Sequence, residues 1–135
     1  MAFFQWDPSY SVNIRQLDSD HKKLIDLVNT LHEAMKAGKA KDVLMAIFTD
    51  LETYTKTHFA NEERLLEQHR FPGLIQQQME HRMFVQKVAE QKKVFEETHI
   101  STAMPIMNFL MEWLKKHILN SDKKYGAFLS QKGVK

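Results

Sequence analysis

Four histidines and two acids stand where amphipathic helices would ordinarily place apolar residues. His21 precedes Leu24 and Ile25 by three and four positions, while Tyr54, His58, Glu62 and Leu65 share one helical face. Leu74, Gln77, His81, Phe84 and Val88 share another, and Ile106, Leu110, Trp113 and His117 a third, with Asp122 just beyond. Burying a carboxylate or several imidazoles among leucines is costly unless they are paired or bind a metal. Singly, each has an ordinary explanation: a hydrogen-bonded core histidine, a Glu62 paired with Arg64, an Asp122 that closes a helix. Jointly they offer imidazole nitrogen and carboxylate oxygen, which suit Fe, Zn, Cu or Ni, whereas the absence of cysteine disfavours thiolate-preferring metals. Six side chains exceed the needs of one tetrahedral zinc, and two carboxylates among imidazoles suit bridging between two ions. The ligand chemistry points to a dinuclear site, with iron favoured and other metals open.

Such a site requires helices to position it. The chain has 135 residues, 43% of them apolar, with only 4 Gly and 3 Pro among abundant helix formers, which predicts one all-α domain over 1–135. Residues 1–17 read as an irregular N-terminal arm that packs its aromatics over one end of the domain. A first helix is expected from Asp18-Ser19, either of which can cap it, to Gly38. A second spans about 41–67, ending at Phe71-Pro72-Gly73, and a third about 74–97, with Leu74, Phe84, Val85, Val88 and Phe95 inward. Thr98 to Thr102 form the next turn, and a fourth helix spans about 103–119 with Pro105 in its first turn. This gives an up-down-up-down antiparallel four-helix bundle over 18–119, followed by a C-terminal segment over 120–135. The start of helix one, the end of helix two, the start of helix three and the end of helix four then meet at one end. His21, His58, Glu62, His81, His117 and Asp122 all fall there, as independent structural histidines would have no reason to do.

Other classes are disfavoured. The net charge is only +2 and the lysine pairs are scattered, so no nucleic-acid footprint is present. No apolar run approaches the roughly 18–20 residues that span a bilayer. The opening residues lack the plan of a signal peptide, and the lack of cysteine is compatible with a reducing compartment. A cytoplasmic monomer is expected, with an unidentified redox partner left open.

The motifs His21-Lys-Lys-Leu, His58-Phe-x-x-Glu62-Glu, Phe71-Pro-Gly, Glu80-His81 and Trp113-Leu-x-x-His117-Ile-x-x-x-Asp122-Lys-Lys-Tyr resemble a bacterial hemerythrin. The resemblance extends over nearly the whole chain, including the Trp6 arm and Tyr125-Gly126. It implies a non-haem di-iron centre that binds O₂ for storage, delivery or sensing. His21 and His58 would hold the iron with the open position, and His81 and His117 the other. Glu62, Asp122 and an oxo or hydroxo group would bridge them, with O₂ held reversibly as a hydroperoxide. Leu114, one turn before His117, is expected either to wall the gas pocket or to serve only as core.

One position departs from that family's pattern. Where it has His-x-x-x-His, this chain reads Gln77-Gln-Met-Glu-His81. Either the glutamine run is solvated and the site degenerate, or Gln77 faces the metal as a ligand or through a water. His32, His69 and His99 are poorly placed to substitute. An oxidase- or peroxidase-like enzyme using an open metal position, and a metal-binding protein without O₂ chemistry, are the rival functions. No acid–base residue beyond Tyr54 stands beside the ligands, which favours a protein that is not an enzyme.

Overall fold

The computed structural model describes residues 4–98 and 102–134, so His99 and part of the 98–102 turn lie outside the described residues. Four helical rods pack against one another: α1 (Arg15–Lys36), α2 (Ala40–Gln68), α3 (Leu74–Thr98), and a fourth rod that begins as α4 (Ala103–Trp113). Short turns join consecutive rods, making them antiparallel neighbours. Leu24, Val28, Leu31, Leu44, Phe48, Leu51, Phe84, Ile106 and Leu110 form the central core. Gly38 ends α1 in the left-handed conformation (φ 71°), and the Lys39 N–H donates to Ala34 O at 2.7 Å. This is a helix terminus that a residue without Cβ adopts most readily.

Four boundaries and faces differ from the sequence expectation. Helix α1 starts at Arg15, not at Asp18-Ser19, and Ile14 precedes it without a side-chain cap. The Asp18 carboxylate instead accepts hydrogen bonds from Val12 N–H and the Ser11 hydroxyl, tying the arm to the helix. Val85 is exposed at the edge of the α3 stripe, over the groove shared with α2. The arm does not simply cover one end with aromatics. Phe4, Trp6 and Tyr10 cluster beside α1, where Asn29 bonds both backbone groups of Phe4, and only Val12 and Ile14 enter a small terminal core with Leu17, Leu66, Tyr125 and Leu129.

The largest difference concerns the fourth rod. It does not stop near 119: α4 passes into a π-helical stretch, Leu114–Asp122, and then into α5 (Lys123–Gln131), with helical backbone at both junctions. Asp122 is therefore not beyond a helix end, and most of 120–135 is helical. In an α-helix, residues five apart point about 140° away from each other. The i→i+5 turn of a π-helix brings them toward one face. His117 and Asp122 are five apart and both buried, so this local unwinding lets one rod supply both.

Candidate metal centre

His21, from early α1, His58 and Glu62, from late α2, and Gln77 and His81, from early α3, meet His117 and Asp122 of the π segment. All seven side chains are buried, with Glu62 at 0% exposure. They occupy the boundary between the central core and the terminal core. Among the described residues two groupings could hold a cation, His21–His58–Glu62 and Glu62–His81–His117, and they share Glu62. His32 and His69 are only half-buried and join neither grouping.

The carboxylates divide their oxygens between two imidazole pairs. Glu62 Oε2 lies 2.8 Å from His58 Nε2 and 3.8 Å from His21 Nε2, while its Oε1 lies 2.9 Å from His81 Nε2. Asp122 Oδ2 lies 3.3 Å from His21 Nε2, and its Oδ1 lies 2.8 Å from His117 Nε2. Each acid thus presents one oxygen to the His21/His58 pair and the other to the His81/His117 pair. Although close, His117 Nε2 and Asp122 Oδ2 lack aligned hydrogen-bond partners, as does the buried Gln77 Oε1, whose amide Nε2 donates to Asp122 Oδ1 at 3.1 Å. Buried polar atoms left unsatisfied are rare and call for an explanation. A cation shared by these donor atoms satisfies them, so the residues fit a metal pair.

An outer ring of acids holds the imidazoles, and sequence reasoning missed its role. His58 Nδ1 is 2.8 Å from Asp20, His81 Nδ1 is 2.8 Å from Glu63, and His117 Nδ1 is 3.0 Å from Glu80, which also accepts from Ser121. The arrangement is cyclic. Asp20 adjoins His21 and supports His58; Glu63 adjoins Glu62 and supports His81; Glu80 adjoins His81 and supports His117. Each of the first three rods carries an acid beside its own inner residue that serves the next rod. The cycle breaks at its close, because Lys123 follows Asp122, and His21 Nδ1 has no partner. The signal in the sequence was an acid directly beside His21, Glu62 and His81. Such partners fix which nitrogen of an imidazole faces inward and raise its basicity.

Rings shield the same groups from water. Phe59 stacks on His81 at 3.9 Å and 4°, Trp113 on His117 at 3.9 Å and 15°, and Tyr54 on His58 at 5.0 Å and 21°. Tyr125, fully buried, donates to Glu62 Oε2 at 3.0 Å.

Without a cation, protons take its place. Burial alone opposes charge on His58, but the Glu62 charge and the bond to Asp20 outweigh it and push the imidazole up to about 10. For His117 burial is likewise outweighed, chiefly by the charge of the adjoining Asp122, and its pKa rises to about 9. Burial also opposes the His21 cation, yet Asp122 and Glu62 raise it. Burial raises Glu62, but the His58 charge and the adjoining His21 and His81 imidazoles hold it well below the usual carboxylate range. Asp122 is raised by burial and by Glu62 but lowered further by His117 and His21. Burial and the nearby carboxylate charges push the Tyr125 phenol upward, keeping it a donor.

Fold and site together define a four-helix bundle built around a buried histidine–carboxylate cluster able to hold metal. Comparison with known proteins agrees. Residues 12–129 match the Hemerythrin HHE cation binding domain. The chain is similar to a bacteriohemerythrin of Pseudomonas paraeruginosa, 29% identical over 93% of this chain and 80% of that protein. It is also similar to one of Methylococcus capsulatus, 27% identical over 96% and 99%, and to a hemerythrin-like protein of Naegleria gruberi, 29% identical over 93% of each. The chain belongs to the hemerythrin family.

Proposed function

We propose that this chain is a non-haem di-iron protein that binds O₂ reversibly, for storage, delivery or sensing, with a modified second iron position. The observation that carries the reading is the division of the Glu62 and Asp122 oxygens between two imidazole pairs. His21 and His58 would hold the first ion, His81 and His117 the second, and Glu62 and Asp122 would bridge them together with an oxo or hydroxo group. When bound, such an iron pair would supply the two electrons that reversible O₂ binding requires.

The chain's own residues prepare that chemistry. Asp20, Glu63 and Glu80 hold three imidazoles with Nε2 inward, and the Tyr125 hydroxyl orients Glu62. Phe59, Trp113 and the buried Leu114 exclude water from the inner face. We assign Leu114, one α-turn before His117, to the wall of the gas pocket. The titratable groups beside the ions are themselves their ligands or partners of those ligands, which favours a carrier over an enzyme. No helix among the described residues is long and apolar enough to cross a membrane, and a cytoplasmic setting is compatible with the absence of cysteine. A monomer is in keeping with this reading, and O₂ is its ligand.

Anaerobic reconstitution with Fe(II), followed by cycles of air and evacuation, tests the proposal. Two irons per chain and an optical change that reverses on removing O₂ are expected. Sustained consumption of peroxide or of an added reductant would favour an enzyme instead.

A further inference from the structure

We infer that Gln77 is itself a metal ligand, through its Oε1 atom, and that it makes the second metal position richer in oxygen donors than the first. This rests on the two-metal reading above. Gln77 stands four residues before His81 in α3, so the two side chains share one face, and it is 1% exposed. Its Nε2 donates to Asp122 Oδ1 at 3.1 Å, the same oxygen that lies 2.8 Å from His117 Nε2. Its Oε1 is buried without a donor.

Which end of an amide points where follows from its partners. An ionised Asp122 accepts from the NH₂ group and repels the carbonyl oxygen, so the amide is locked with Oε1 turned away from Asp122. A buried carbonyl oxygen with no donor is costly, and a cation shared with His81 and His117 removes that cost. The first position then has two imidazoles and one oxygen from each bridging acid. The second has two imidazoles, the other two carboxylate oxygens and an amide oxygen. Oxygen donors suit Mn(II), while imidazole suits zinc and the later transition metals. Gln77 therefore shifts the second position toward oxygen-preferring divalent ions, and the chain discriminates between its two sites.

The test titrates the metal-free full-length chain with Co(II), followed optically, and with Mn(II), followed by the electron-spin signal of the free ion. The wild type takes up two ions. Gln77→Leu, similar in volume but without a donor, and Gln77→Asn, the same amide one methylene shorter, weaken the second ion at least about 10- to 100-fold, the loss that even an outer-shell partner produces. Both leave the first ion unchanged. Gln77→Glu restores the second ion. Gln77→His lowers the second position's Mn(II)/Co(II) affinity ratio at least about tenfold. Melting of each metal-free variant shows that the bundle is intact. Equal second-ion affinity in wild type and Gln77→Leu overturns the inference, as does full binding by Gln77→Asn, which would place a water between amide and metal. Uptake of fewer than two ions by the wild type overturns the two-metal reading itself.

Discussion

Removing Asp20 should damage one metal position and spare the other. Its carboxylate is 8% exposed and meets His58 Nδ1, on a ring 3% exposed, at 2.8 Å; its remaining partners are Gln16 and a distant Lys23. In Asp20→Ala a charge-assisted bond disappears and a buried imidazole N–H is left unpaired. Bonds to charged groups contribute about 1.5–3 kcal/mol, and an orphaned buried donor places the loss toward the upper end of that range. The metal-free protein should therefore lose about 2–3 kcal/mol of stability. In the loaded protein, removing an outer partner costs about 10- to 100-fold in metal affinity, or about 1.4–2.8 kcal/mol. That loss should fall on the His21/His58 position alone, since His81 and His117 are supported by Glu63 and Glu80. Co(II) titration resolves the two ions, and Glu63→Ala should give the mirror-image pattern. If Asp20→Ala weakens both ions equally, or leaves the first within about twofold where loss of an outer partner costs at least about tenfold, the acid ring does not work as described.

Glu62→Ala removes the one residue common to both groupings and should abolish tight binding of both ions, read as Co(II) stoichiometry. Gly126→Ala places a Cβ 2.9 Å from Val12 O and 3.2 Å from Val12 Cα. Backbone cannot yield cheaply, so thermal melting should show a loss of about 1–3 kcal/mol as the arm is pushed off the terminal core. The metal-free protein should be most stable in mild acid. His58 and His117 are raised in the fold to about 10 and about 9, so their contribution is complete below the ordinary value of 6.5 and is lost as pH climbs through those higher values. Glu62 and Asp122 are lowered, so theirs is present above the ordinary 4.5 and 3.8 and is lost on further acidification. A melting temperature that rises steadily from pH 6 to pH 10, where ordinary imidazoles are neutral, would contradict this.

Much of this architecture was legible in the sequence because two periodicities coincide in it. The apolar stripes marked four rods, and the polar interruptions fell at alternating rod ends, which is enough to bring His21, His58, Glu62, His81, His117 and Asp122 together. What stayed hidden depends on local backbone and on partners across rods. The π stretch has no residue signature. Only the five-residue spacing of His117 and Asp122, awkward for an α-helix, hints at it, and that spacing fits equally a helix that ends before Asp122. Asp18 looked like a cap because its residue type favours caps, yet tertiary pairing with the arm claimed it. The supporting role of Asp20, Glu63 and Glu80 is hidden because their partners lie 18 to 38 residues away. Val85 satisfied the helical period but sits at the stripe's edge, where periodicity alone cannot decide burial.

The most direct test of the whole account is iron stoichiometry measured together with reversible oxygen response in one anaerobically reconstituted sample. The account predicts two irons per chain and an optical change that appears in air and disappears on evacuation, through repeated cycles. One iron per chain, or two irons with no O₂-dependent reversible change, would contradict it.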